Sequence, residues 1–205
     1  MKTALIVSGG DFSSPDLDLK YDILIACDKG YGYAKNMRLT PDVVIGDFDS
    51  FTGVIDPDIK VLRYPIEKDD TDTMLAVKYA LNEGCDRIVI CSALGGRMDH
   101  TIANIQSMAY AASHGALCEI MSENEYMRTF TGGKTRVKER DGYSISLFSL
   151  SDECKDLSID GAKYNLKNAT LTNIFPLGYG NSREHDYVTI SMSSGILLIV
   201  ESVIS

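Results

Sequence analysis

The order of apolar and polar positions divides the chain into two stretches of different texture. Up to about residue 121, short unbroken apolar runs end in Gly or Asp: "TALIVSGG" (3–10), "DILIACDKG" (22–30), "VVIGDFDSFTG" (43–53), "IKVLRYP" (59–65), "RIVICSALGG" (87–96) and "LCEIM" (117–121). Such runs mark strands covered on both faces. Between them, "TDTMLAVKYALNEG" (71–84) repeats Met74, Val77 and Leu81 at near-helical spacing and stops at Gly84. A second long helix, "HTIANIQSMAYAASHG" (100–115), is closed by Gly115. Strands alternating with helices predict a largely parallel sheet, which takes ligands at the carboxyl ends of its strands.

From about residue 130 the pattern changes. "KTRVKER", "YSISLFSL", "KDLSI", "TLTNIF", "YVTISM" and "GILLIVES" are short pieces, several alternating apolar with polar, separated by Gly, Asp and Asn turns. No helical pattern occurs here. The prediction is an antiparallel β-sandwich or small barrel. The fold class is therefore α/β: an α/β ligand-binding domain over 1–125, a β-sandwich over 130–205, and a junction near 122–132. Whether "GILLIVES" is an edge or an internal strand is open at this level.

Composition narrows the function. At 205 residues, with 44% hydrophobic and 24% charged positions, the chain is ordinary globular material. Its formal charge of -9 argues against a nucleic-acid partner. The opening apolar run is too short for a signal-peptide core, and no stretch is long enough to span a membrane. Five cysteines, odd in number and never in CxxC spacing, read as reduced packing residues of a cytoplasmic protein. Three histidines form no HExxH-type pair, so zinc has little support.

The candidate chemistry lies in the acids. Asp28 follows one strand, Asp47 and Asp49 the next, Asp69, Asp70 and Asp72 a third, and Asp99 a fourth. If the chain stays extended, Asp47 and Asp49 point to the same side about 6.5 Å apart and repel by about 2–3 kcal/mol at an effective dielectric near 20. Oxygen ligands so gathered suit Mg2+, completed by water and phosphate oxygens. Each piece also has a plainer reading. Asp47 and Asp49 suit a turn, Thr71 and Asp72 a helix cap, and Asp99 the cap of a helix after a glycine turn. The glycines of "SGGD" (8–11) and "LGGRMDH" (94–100) would let backbone amides approach phosphate, with Arg97 as a planar cation.

"CDKG" (27–30), "PDVVIGDFDS" (41–50), "PIEKDDTDTMLAV" (65–77) and "LGGRMDHTIANI" (94–105), in that order, resemble the motifs of the thiamine pyrophosphokinase family. The resemblance implies an α/β nucleotide-binding domain, a carboxyl-terminal β-sandwich serving thiamine binding and dimerisation, and a homodimer with sites at the subunit interface. It implies transfer of pyrophosphate from ATP to the hydroxyl of thiamine, with release of AMP. Carried onto this sequence, Asp47, Asp49 and Asp72 would hold Mg2+. Asp99 would join that acidic centre and orient or deprotonate the thiamine hydroxyl. Gly9, Gly10, Asp28, Gly30 and Arg97 would serve the nucleotide; Lys68, Asp99 and Ser182 would serve thiamine. The family's "GTSNEF"-like stretch corresponds to "GNSREH" (180–185), where Ser182 and Glu184 match and Asn181, Arg183 and His185 depart. With no Trp in the chain, Tyr179 or Phe175 would have to stack on thiamine. Two rival readings stand beside this one: a metal-dependent transferase acting on nucleotide sugars, and a non-catalytic nucleotide- or thiamine-binding module.

Overall fold

Thr3–Val7 (β1) is buried at all five positions, and this follows from its neighbours on both sides. It pairs in parallel with Ile23–Cys27 (β2) through Leu5 opposite Leu24, and with Arg87–Cys91 (β5) through Leu5 opposite Val89. Val43–Gly46 (β3), also wholly buried, and Lys60–Arg63 (β4) extend the sheet beyond β2; Leu117–Met121 (β6) extends it beyond β5. The strand order is β6-β5-β1-β2-β3-β4, each neighbouring pair parallel. β4 carries exposed Lys60 and Arg63 at its two ends, which keeps an edge strand from recruiting another chain.

This computed structural model describes residues 1–16, 18–48, 54–65, 67, 69–138 and 140–204. It divides into Met1–Glu123 and Asn124–Ser205.

Three helices complete the first unit: Gly30–Asn36 (α1), Asp72–Asn82 (α2) and Met98–Ser113 (α3). Right-handed crossovers send α1, on a connection running outward from β1, to one face of the sheet. The connections through α2 and α3 run the opposite way and take those helices to the other face, where they touch each other. Thr71 caps α2: its backbone is extended and its Oγ1 accepts from the Met74 amide at 3.1 Å. The face α2 buries is Thr73, Ala76, Val77 and Ala80. Met74 and Leu81 of the expected stripe are only half-buried. Small side chains win the inward positions because α2 packs against both the sheet and α3, where a close approach leaves no room for larger ones. α3 buries Asn104, Ser107, Met108, Ala111 and Ala112, a helical stripe, and starts two residues before the expected His100.

The second unit is built from antiparallel strands, with no helix among the described residues. Glu125–Phe130 (β7), Gly133–Lys138 (β8), Tyr143–Ser149 (β9), Glu153–Asp160 (β10), Leu166–Thr172 (β11), Gly178–Asn181 (β12), Tyr187–Met192 (β13) and Leu197–Val203 (β14) make two groups, ordered β12-β9-β14-β7 and β11-β10-β13-β8. Both groups feed one apolar core: Ile145, Leu147, Leu197 and Ile199 from the first, Val137, Leu157, Leu171, Val188 and Ile190 from the second. β14 pairs with β7 on one side and β9 on the other, so "GILLIVES" is internal. Sequence pattern missed β7, which fills the stretch expected to join the domains, and β12. "EYMRTF" is half-buried nearly throughout and carries no clean alternation, and "GYGN" has the composition of a turn.

Candidate active site

The order of strands reverses between β1 and β5, and there the carboxyl ends of neighbouring strands diverge to leave a crevice. A cavity of about 290 Å3 occupies this place in the first unit. The loop after β1 supplies Ser8, Gly9 and Gly10; the end of β2 and the turn after it supply Cys27, Asp28 and Lys29; Asp47 follows β3; Thr71, Asp72 and Thr73 open α2; Ala93 and Gly95 follow β5; His100 and Asn104 come from α3.

Backbone geometry builds the rim. Asp28 (φ 39), Phe48 (φ 64) and Ser92 (φ 53), each just past a strand end, adopt the left-handed conformation that L-residues resist. Such turns redirect the chain at the ends of β2, β3 and β5, beside residues that line the crevice. The extended geometry expected for "DFD" is not kept through its described part: β3 ends at Gly46, and Phe48 takes a left-handed conformation. The glycine loop after β1 is fastened to the segment after β5, with the Gly10 amide donating to the Ser92 carbonyl at 2.7 Å and the Asp11 amide to the Leu94 carbonyl at 2.8 Å. A Cβ at Gly10 would meet the Leu94 carbonyl oxygen at 2.6 Å, so only glycine allows this approach.

Hydrogen bonds beneath the pocket set its side chains. The hydroxyls of Ser8 and Thr73 lie 2.7 Å apart in a buried position, and Asn104 donates through Nδ2 to the Ala93 carbonyl at 2.6 Å. Tyr33 donates its hydroxyl to the Gly10 carbonyl at 3.0 Å from α1. Each bond ties a helix to a strand end, so the pocket wall is rigid scaffold rather than free loop.

Asp28, Asp47, Asp72, Gly9 and Gly10 are thus brought to one pocket. Asp49 and Lys68 lie outside the described residues. Four further candidates, Gly30, Arg97, Asp99 and Ser182, are placed elsewhere. Gly30 does not line the cavity; a Cβ there would overlap the Val7 carbonyl oxygen, so this glycine serves the packing of α1 on the end of β1. Arg97 and Asp99 do not line it either. On the first turn of α3 they pair with each other, Nη2 to Oδ2 at 2.5 Å, with side chains 74% and 61% exposed. The reason is local: two residues apart at a helix start, guanidinium and carboxylate satisfy one another before reaching inward. This bond from Arg97 holds the Asp99 carboxyl below the ordinary carboxylate range. Asp69 is exposed, and Asp70 is taken by Lys78 at 2.7 Å. Ser182 belongs to the second unit, half-buried just past β12.

Residues that pattern reading missed include Ser8, Thr73, His100 and Asn104. His100 and Asn104 stand one helical turn apart within "GGRMDHTIAN", a spacing that puts both on one face of α3. Among the described residues, no three His, Cys, Asp or Glu side chains come together closely enough to hold a metal by themselves. Three carboxylates on one oxygen-rich pocket nonetheless match the donor chemistry of Mg2+, which takes one or two carboxylates and leaves the rest of its octahedron to water and phosphate.

The fold and this crevice define an open α/β protein with an acidic, glycine-lined ligand pocket at its topological switch point. Two family models match along the chain: the thiamin pyrophosphokinase catalytic domain over residues 16–120 and the thiamin pyrophosphokinase vitamin B1 binding domain over residues 134–197. The chain is similar to the thiamine pyrophosphokinase of Bacillus subtilis (strain 168), 32% identical over 98% of this chain and 99% of that protein. It is also similar to thiamin pyrophosphokinase 1 of Caenorhabditis elegans, 25% identical over 78% of this chain and 70% of that one. The solved Bacillus subtilis thiamine pyrophosphokinase superposes with a TM-score of 0.88 at 29% identity, covering 100% of both chains. That of Geobacillus thermodenitrificans gives 0.83 at 27%, covering 99% of this chain and 98% of its own. The chain belongs to the thiamine pyrophosphokinase family, a family of enzymes.

Proposed function

We propose that this protein transfers the pyrophosphoryl group of ATP to the hydroxyl of thiamine, giving thiamine pyrophosphate and AMP. The observation that carries the reading is the gathering of Asp28, Asp47 and Asp72 with the Gly9–Gly10 loop in one switch-point pocket. The hydroxyl oxygen attacks the β-phosphorus, the bridging bond between the α- and β-phosphates breaks, AMP leaves, and the hydroxyl proton passes to a base.

Such transfers need positioning and charge neutralisation more than covalent help. The Gly9 amide and the ammonium of Lys29 would receive phosphate oxygens, while Gly10, its amide bonded to the Ser92 carbonyl, would hold the loop close enough for them to do so. Asp47, Asp72 and Asp49, with Asp28 beside them, would hold Mg2+. When bound, that ion would offset charge on the β- and γ-phosphate oxygens.

We assign Asp99 to the thiamine hydroxyl and Arg97 to phosphate, which requires their mutual pair to open. Exposed ion pairs contribute little to stability, so a phosphate competing for Arg97 can release Asp99. The second unit, with Ser182, and Lys68 from the first would bind thiamine. The protein would act in the cytoplasm as a homodimer with sites at the subunit interface; no helix among the described residues is long and apolar enough to cross a membrane.

An assay of AMP release with and without thiamine, and with and without Mg2+, tests the proposal. The expected result is AMP formation that requires both. AMP-free transfer from a nucleotide sugar, or binding without turnover, would overturn it. Asp49→Ala should abolish turnover and leave the fold intact, as read by circular dichroism.

A further inference from the structure

Within the stretch "GNSREH" (180–185), the structure places the side chains of Asn181 and Arg183 alike. Asn181 is 6% exposed, and the Arg183 side chain is 2% exposed, whereas Ser182 is half-buried and Glu184 exposed. Asn181 and Arg183 point into the second unit, and Ser182 and Glu184 point outward. Alternation along an extended chain produces this division.

The inward residues fasten the stretch. Asn181 Oδ1 accepts from the Tyr164 amide at 3.0 Å, and its Nδ2 donates to the Tyr164 carbonyl at 2.8 Å. The backbone follows suit, with the Lys163 amide donating to the Ser182 carbonyl at 2.9 Å and the Glu184 amide to the Gly161 carbonyl at 3.1 Å. Arg183 reaches further. Its Nη2 pairs with Glu201 Oε1 on β14, and its Nη1 donates to the Tyr143 carbonyl at the start of β9 at 3.2 Å. One guanidinium fork therefore ties the stretch to two adjacent strands, a geometry that a single point charge cannot reproduce.

Stability is a poor account of this arrangement. Both charges are almost fully removed from water, and a buried pair of this kind is commonly no better than two apolar side chains of the same size. Arg183 Nε is also buried with no hydrogen-bond acceptor among the described residues, a further cost. What the pair supplies is direction. We infer that Arg183 is a positioning residue: anchored by Glu201 and the Tyr143 carbonyl, it holds Ser182 in the orientation that receives thiamine. This inference rests on the thiamine reading of Ser182 given above.

The test uses the full-length protein and thiamine as the probe, with calorimetric thiamine affinity, the KM values for thiamine and ATP, and Tm as readouts. Arg183→Met should weaken thiamine binding and raise its KM about tenfold or more, with the KM for ATP changed less than about twofold. Its Tm should fall, because Glu201 is left charged and unpaired. In the double variant Arg183→Met with Glu201→Leu, no buried charge remains, so Tm should recover while thiamine affinity stays weak. That split is the signature of positioning, and the double variant carries the test if the single one does not fold. Wild-type thiamine affinity in the double variant would overturn the inference. Failure of the unaltered protein to bind thiamine at all would instead overturn the thiamine reading of the site.

Discussion

The hydroxyl oxygens of Ser8 and Thr73 lie 2.7 Å apart, buried, and join the end of β1 to the first turn of α2. One hydroxyl donates and the other accepts, so removing either leaves its partner unsatisfied away from water. Thr73→Val should cost about 1–3 kcal/mol by urea denaturation, whereas the double change with Ser8→Ala should cost much less than the sum. Because Asp72 sits next to Thr73 on the pocket wall, the single variant should also lose activity at temperatures where it remains folded.

Asp47 and Asp72 line the same cavity, and their value is expected to lie in charge rather than in packing. Replacing either by Asn keeps the shape and removes the anion. Turnover should fall by about two orders of magnitude or more, while circular dichroism still reads a folded protein. Retention of full activity in both variants would remove the acidic pocket from the mechanism.

Gly30 opens α1 directly against β1, where a Cβ would overlap the Val7 carbonyl oxygen and lie 2.7 Å from that of Ser8. Backbone cannot retreat as a flexible side chain can. Gly30→Ala should therefore destabilise the protein by about 1–3 kcal/mol and displace the start of α1 with its neighbours Asp28 and Lys29. A Tm equal to that of the unaltered protein would refute this.

Hydrogen bonding from Arg97, supported by the His100 amide at 2.9 Å, lowers the Asp99 pKa. A carboxyl lowered in the folded state contributes stability above its unfolded pKa and loses it as pH falls through the folded one. The contribution is small because the pair is exposed. Carboxyl-carbon NMR should place the Asp99 midpoint below the ordinary aspartate range, and Arg97→Ala should return it upward. High salt should shrink the difference, since exposed charges are screened.

All five cysteines are buried and none is in a disulfide. Burial pushes the Cys91 thiol up to about 12 and raises Cys85 and Cys118 as well. A thiol held protonated and covered is a poor nucleophile. A thiol-specific reagent at neutral pH should label these three slowly in the folded protein and rapidly after denaturation.

Much of the first unit could be read directly from the order of residues. β1, β2, β3, β5 and β6 announce themselves because a strand covered on both faces has to be apolar without interruption, and the start of α2 because Thr71 is a cap. The stripe on α2 was less legible: Met74 and Leu81 are more apolar than Ala76 and Ala80, yet only the smaller residues fit between sheet and α3. β7 and β12 were hidden for a related reason. Partial burial erases the alternation that reveals a strand, and pairing with β14 and β9 makes them strands all the same.

At the site, sequence alone established which acids follow strand ends, since that is a matter of adjacency along the chain. It could not decide which of them share a pocket. That was settled by the reversal of strand order beside β1 and by the start of α2 opening on the same crevice, which bring Asp28, Asp47 and Asp72 to one pocket. Asp99, which like Asp72 opens a helix several residues after a strand, is instead taken by Arg97 beside it. Proximity in the chain limits what a side chain can reach; only the folded backbone determines which of the reachable partners it meets.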